Sequence, residues 1–507
     1  MKNIVIWGYS NYKWLWVPLA RELKLKHGAK IHFLCGVERS VEYWKRQDDT
    51  GIIDTFTTTD HFFLEYDRGT ESSKDIYAEA RENEEKYRTY VVDVLQTDRH
   101  LGRGFAAAGP GHTRSQLSDK ASYIKSVNLF NKVVRFWEEY FEKTTPDLII
   151  GNASGILGKT CSVVAHSRGI PTRVFILANY QAYHGWAVDE YYSLPEIRKK
   201  FESVNDGQCK RLASNEELAK LRRLPLADSN YHRYSRYKTI GFLFGDIFQK
   251  CQAYAYRKYK GIVTMGNYKF SEKIKMSFRV YRDMKAIDYL LSVRVDELRD
   301  TSYIFFPLHV EPESSVGMMS PEMNEQLACV ELLAKNLPAG IQLVVKEHLA
   351  AVGRRPKEFY STILDIPNVI MLSPYAYALD AARGAKAVAV ITSTLGMEAA
   401  ILGIPVISFG RHNNYNFLPH VRVVDSWMEL RPLLASLCRE GSHEARAKRS
   451  ADGRRYVAAL KLCTIDLGWT NYASQQDRAP ASAKEVEAIY TALMKSLDEK
   501  AISHYGT

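Results

Sequence analysis

The sequence predicts an α/β protein made of two doubly wound domains, each built on a parallel sheet. Three observations predict it. Short apolar runs recur along the chain, at residues 3–7, 148–150, 303–306 and 387–391, the last rich in Val and Ile, and such runs mark strands buried on both faces. Each run is followed by a polar or glycine-containing turn and then by helical periodicity, the alternation that builds parallel sheets. The alternation occurs twice, separated by a helical, charged stretch at residues 270–300.

In chain order, residues 3–7 read as the first strand, Gly8, Tyr9, Ser10 and Asn11 as its turn, and 14–24 as a helix. Residues 30–34 read as the next strand, after His27-Gly28 ends the helix. No GxGxxG follows the first strand, so a dinucleotide fingerprint is absent. Residues 60–145 read as helical and charged, with 79–90 the clearest helix. Within them, 98–105 and 109–114 form two glycine-bracketed basic segments, including Arg103, that predict a loop carrying cations. Residues 146–152 predict a strand and turn, 159–168 a helix, and 172–176 another strand. Asn152, Ser154 and Lys159 then fall at a strand's carboxyl end, where open α/β sheets bind ligands. The segment Gly151 to Thr160 is a poor P-loop, because its glycines are too far apart.

Residues 185–260 read as an aromatic, basic, mostly helical insertion. Tyr and Phe beside Lys and Arg suit a helical pair packed on the sheet domain with basic outer faces, and also the interface of an anionic leaflet. Residues 261–265 read as the last strand of the first domain, and 293–301 as the connection. Strands are predicted at 303–306, 342–345, 368–372, 387–391, 406–409 and 421–424, with helices at 322–336, 379–383 and 395–402. The expected division is 1–298 for the first domain with its insertion, 299–455 for the second, and 456–507 for helices packing back on the first.

The chain has 507 residues, 46% hydrophobic and 25% charged, which excludes global disorder. Its net charge of +11 favours anionic partners: phosphorylated substrates, nucleic acid or an anionic membrane surface. No helix-turn-helix, zinc-finger or RNA-binding motif is present, so nucleic acid is not expected as a partner. Seven scattered cysteines without a CxxC pair predict reduced thiols and an intracellular location. The N-terminus does not read as a signal peptide, and no run is long and apolar enough to span a bilayer. The expected location is cytoplasmic, free or peripheral on the inner membrane face. There is no HExxH, no His/Cys ligand array and no well-placed DxD, so no metal and no cofactor are expected.

The chemistry is expected in three clusters, each ending a strand of the second domain: residues 309–313, 346–348 and 392–398. Strand ends of one sheet converge on one crevice. Thr392, Ser393 and Thr394 sit where a strand gives way to a helix, and hydroxyls cap a helix N-terminus well. Free N–H groups and the helix dipole there attract anions, while Glu398, one turn on, can accept hydrogen bonds from ribose hydroxyls. Lys346 and His348 supply cationic groups for a departing phosphate, and His309, Glu311, Glu313 or His348 can handle the proton of an acceptor hydroxyl.

Residues Thr392, Ser393, Thr394, Gly396, Glu398, Ala399, Gly403, Pro405, Val406, Phe409 and Gly410 resemble the nucleotide-binding segment of GT-B glycosyltransferases. The stretch is most similar to the capsule polysaccharide biosynthesis protein family, which includes Kdo transferases. PLHVEPE resembles the family's PLHxQPE-type segment, with Glu311 where Gln is usual, and KEH resembles its KEHP segment, with Leu349 in place of Pro. The resemblance covers residues 300–425 well and the N-terminal half only as fold. It implies a metal-independent glycosyltransferase with two Rossmann-like domains facing a cleft. A nucleotide sugar (CMP-, UDP- or GDP-linked) would bind Lys346, Thr392, Ser393, Thr394, Gly396 and Glu398, with His309, Glu311, Glu313 and His348 catalytic. A glycan or lipid-linked glycan acceptor would meet Gly8, Ser10, Asn11, Arg103, Asn152 and Ser154. The alternatives are a CDP-glycerol-type glycerophosphotransferase or a nucleotide-sugar epimerase on the same scaffold, and a non-catalytic carbohydrate-binding or export component.

Overall fold

The computed structural model describes residues 1–8, 12–36, 38–59, 72–98, 123–151, 154–219, 221, 235–259, 270–310, 314–320, 323, 325–353, 355, 358–439, 443–468 and 479–499. These divide into two compact units, the first from residues within 1–101, 121–200 and 460–507, the second from those within 201–459.

In the first unit the strands are β1 (Asn3–Trp7), β2 (Lys30–Cys35), β3 (Thr55–Thr58), β4 (Leu148–Ile150), β5 (Thr172–Leu177) and β6 (Tyr183–Ala187). The parallel order is β5-β4-β1-β2-β3, with β6 antiparallel on β5 and the short strand Ile465–Asp466 antiparallel on β6. Ile4, Val5 and Ile6 are fully buried, as strands covered on both faces require. The Lys13–His27 helix ends at Gly28, whose φ of 62° makes the left-handed turn that glycine adopts without strain. Ile489 and Leu493 of the Ala483–Ser496 helix join the same core as Leu15, Leu19 and Phe33. Arg173 fastens that helix, donating from its guanidinium to the Ser496 carbonyl at 2.6 Å and the Glu499 carbonyl at 2.7 Å. At the start of the mostly helical stretch from residue 185, strand β6 is an element the sequence does not announce. Its sequence YHGWA is short and has glycine at its centre, so no alternation announces it.

The second unit holds β7 (Tyr303–Pro307), β8 (Gln342–Lys346), β9 (Val369–Leu372), β10 (Ala387–Val390), β11 (Val406–Ser408) and β12 (Val421–Val423). The order is β12-β11-β10-β7-β8-β9 and every pair is parallel. This is the doubly wound arrangement, and its strand order reverses between β7 and β10. Both domains are thus Rossmann-like.

The helices Ile240–Tyr259 and Phe270–Leu290 group with the second unit, not with the first as the 1–298 boundary supposed. The reason is packing. Met284, Ile287 and Leu291 belong to the same buried core as Ile304, Phe306 and Leu343, and Val293 makes a parallel bridge to Leu372. The strand expected at 261–265 lies outside the described residues, as do the basic segments at 99–105 and 109–114.

Candidate functional site

Strand β10 is fully buried at all four positions, and Ile391 after it is also buried. The chain then turns at Thr392 and enters the Thr394–Ile401 helix. Ser393 is the N-cap: its backbone is extended (φ −74°, ψ 138°) and its hydroxyl accepts from the Leu395 N–H at 3.2 Å. The turn is held from behind. Asn413 Nδ2 donates to the Ile391 carbonyl at 2.7 Å and to Ser408 Oγ at 2.9 Å, and the Tyr415 hydroxyl donates to the Ser393 carbonyl at 3.4 Å. Gly396 is required by this packing, since a Cβ there would lie 2.3 Å from the Tyr415 hydroxyl and 2.7 Å from Val390 Cγ2. Its role is close helix approach.

His309 follows β7, next to β10 in the sheet, and is buried. Its Nε2 accepts a long hydrogen bond, 3.4 Å, from the Thr392 N–H. The bond crosses the reversal point of the sheet, where open α/β folds place their ligands. Two neighbours unforeseen in the sequence hold the His309 backbone. Gln326 Oε1 accepts its N–H at 2.5 Å, and Arg355 donates to its carbonyl at 2.6 Å.

The third cluster ends β8, on the other side of β7. The Leu308 N–H donates to the Lys346 carbonyl at 2.8 Å, so the ends of β7 and β8 advance together. Lys346 is half-buried, and its ammonium donates to the Glu347 carbonyl at 3.3 Å. Burial pulls the Lys346 ammonium down to about 8, against the opposing pull of the Glu347 carboxylate. Glu347 itself is fully buried and accepts four hydrogen bonds from three partners. Arg355 binds both carboxylate oxygens, at 2.7 and 2.8 Å, Tyr360 donates at 3.0 Å and the His348 N–H donates at 2.6 Å. His348 is exposed, and its Nδ1 accepts from the Ala350 N–H at 3.2 Å, which leaves the neutral ring's proton on Nε2. Glu398 is half-buried one turn into its helix, and burial raises its carboxyl to about 7. Burial, and then the nearby Glu398 charge, raise the Tyr377 phenol as well.

The structure therefore brings His309 and Thr392 into contact and puts Lys346 and His348 on the adjoining strand end, with Ser393, Thr394, Gly396 and Glu398 on the turn and helix beyond. Glu311 and Glu313 lie outside the described residues, as do Ser10, Asn11, Arg103 and Asn152. Of the first-unit candidates, Gly8 serves packing. A Cβ there would meet the Phe33 ring at 2.2 Å, and its N–H donates to the Leu34 carbonyl at 3.0 Å. Ser154 is the extended residue before the Gly155–Ser167 helix. Lys159, expected among ligand-binding positions, is instead buried in an ion pair with Glu190 at 2.9 Å and lies over the Tyr191 ring. Among the described residues no group of His, Cys, Asp and Glu is arranged to hold a metal ion.

The family described as capsule polysaccharide biosynthesis protein matches residues 232–417. No curated protein sequence matches the chain. Among solved structures, the Thermosulfurimonas dismutans KpsC, a beta Kdo 2,7 transferase, is 14% identical, covering 72% of this chain and 90% of its own at a TM-score of 0.34. A Methanocaldococcus jannaschii UDP-GlcNAc 2-epimerase is 10% identical, covering 98% and 100% at 0.30. The calicheamicin glycosyltransferase CalG4 is 13% identical, covering 98% and 99% at 0.27. Likeness at these scores carries no argument about activity. What the family match adds is that the composite site, from His309 through Glu398, falls inside the matched segment. Residues 232–417 thus carry the chain's resemblance to the capsule polysaccharide biosynthesis family.

Proposed function

We propose that the chain is a glycosyltransferase of surface-polysaccharide synthesis, moving a sugar from a nucleotide-sugar donor to a glycan or lipid-linked glycan. The observation that carries the reading is the Thr392–His309 hydrogen bond across the reversal point of the second sheet, with Lys346 and His348 at the end of the neighbouring strand β8. On this reading the donor's phosphates lie against the Ser393-capped helix N-terminus, whose dipole favours negative charge. Lys346 and the Nε2–H of His348 offset the charge that grows on the departing phosphate. Buried His309 keeps the turn in place, because its Nε2 is engaged by the Thr392 N–H. Glu398 meets the ribose, and its weakly acidic carboxyl suits a hydrogen-bonding role there. Removal of the acceptor's proton falls to Glu311 or Glu313, the carboxylates next in sequence after His309.

Thermal-shift titration with CMP, CDP, UDP and GDP tests the reading. Stabilisation by one of them that is lost in Lys346→Met and Ser393→Ala supports the site. CMP points to a Kdo- or sialic-acid-like donor, UDP or GDP to a hexose, and CDP to a glycerophosphate donor, which overturns sugar transfer. No shift with any nucleotide overturns the donor site altogether.

A further inference from the structure

The Ile240–Tyr259 helix is turned inside out. Residues 240, 244, 248, 251, 255 and 259 fall on one stripe at helical spacing, and they are Ile, Phe, Phe, Cys, Ala and Tyr. All six are exposed, Ile240 at 58%, Phe244 at 63%, Phe248 at 62% and Tyr259 at 83%. Gly241, Gly245 and Gln252 complete that face without adding a charge. The helix's acidic residue and its first lysine point the other way. Asp246 and Lys250 form an ion pair at 2.5 Å and share Ser277 of the Phe270–Leu290 helix, at 2.7 Å each. With Phe242, Leu243, Met276 and Val280 they line a cavity of about 350 Å³ between this helix and its neighbours. A helix of a water-soluble surface has the reverse pattern, apolar inward and charged outward. An exposed aromatic stripe of this length on a soluble protein marks a face that something covers.

We infer that this face docks on an anionic lipid membrane. The charge of the helix pair selects that occupant. The two helices carry eight Lys and Arg against four Asp and Glu. Lys258 at the stripe's edge, and Lys275 and Lys285 on the second helix, are exposed, as is Phe278. Aromatic rings that enter the headgroup boundary, with lysines that reach anionic headgroups, are the two components of interfacial binding. Among the described residues no helix is long and apolar enough to cross a membrane, so the contact is with the surface. The inference uses nothing about the reaction, so its failure leaves the nucleotide site untouched.

The test is co-sedimentation of the full chain with vesicles of phosphatidylcholine, with and without phosphatidylglycerol, beside light scattering without lipid. Binding to the anionic vesicles only, weakened at least tenfold by the double substitution Phe244→Ser and Phe248→Ser, is the expected result. The triple substitution of Lys258, Lys275 and Lys285 to Gln should weaken it likewise and remove its salt dependence. These positions are exposed, so the variants should melt with the parent. Equal binding to neutral vesicles, no binding, or undiminished binding by the Phe variant overturns the inference. So does a dimer in solution that the Phe variant dissociates, which would assign the face to a second copy of the chain.

Discussion

Arg355 and Glu347 form a bidentate, fully enclosed ion pair that ties together the two strand ends carrying His309 and His348. Each partner of the pair also reaches one histidine backbone, Arg355 through the His309 carbonyl and Glu347 through the His348 N–H. Removing either partner leaves an uncompensated charge in the interior. Arg355→Ala or Glu347→Ala should cost about 3–5 kcal/mol, read as a lowered urea midpoint at constant slope. The double replacement by Met should cost much less than either single change, because a buried pair repays little more than its own desolvation. Equal losses in the single and double variants would show that the pair is not enclosed as described.

Glu398 gives a pH test with a definite sign. Its folded carboxyl titrates near 7, above the unfolded value of 4.5, so the folded state binds the extra proton between those two values. Stability therefore falls as pH rises from 4.5 through 7. Glu398→Gln removes the burden of an ionised, half-buried carboxylate. It should raise the free energy of unfolding at pH 8 by on the order of 1 kcal/mol after allowance for partial exposure, and leave it nearly unchanged at pH 4.5, as urea denaturation at the two pH values would measure. The same substitution should weaken nucleotide binding if the ribose lies there.

Lys346 runs the opposite way. Its folded ammonium loses its proton near 8, below the unfolded 10.5, so the apo protein gains stability as pH rises between these values. Lys346→Met should raise the melting temperature at pH 7 while lowering nucleotide affinity roughly tenfold, the size of one charge-assisted hydrogen bond. In the parent chain that affinity should decline above pH 8, and in the variant it should be flat, as isothermal titration would measure.

Gly453 allows the His443–Cys463 helix to lie against the end of the site helix. A Cβ there would stand 2.2 Å from the Ile401 carbonyl oxygen and 2.6 Å from Ile401 Cα, both main-chain atoms that cannot swing away. Gly453→Ala should therefore lower stability by about 1–3 kcal/mol in chemical denaturation, despite alanine's better helix propensity.

Most of the scaffold was legible in the sequence because buried parallel strands are written as contiguous apolar runs. All six strands of the second sheet were read within two residues or so of their bounds, and so was the turn at residues 392–394, where Ser393 is the cap. The elements that escaped lack a local period. Strand β3 reads TFTT, only partly buried, and β6 has a glycine in its middle. Gln326, Arg355 and Tyr360 escaped for another reason. They act on His309 and Glu347 through contacts between distant parts of the chain, and a buried arginine reads in one dimension like an exposed one. Lys159 was misplaced by the same blindness, since its partner Glu190 lies beyond two intervening strands, β5 and β6. The sequence marks His309 as a candidate, but that its Nε2 is engaged by the Thr392 N–H is visible only in three dimensions.

The order of strands in the second sheet also governs how the chain is made. Strand β10 is inserted between β7 and β11, so β7 leaves the ribosome with one flank bare and keeps it bare while β8 and β9 are being synthesised. A nascent chain stalled before residue 387 would hold its central strand open to any passing β-edge, and a chaperone would be needed most during that interval.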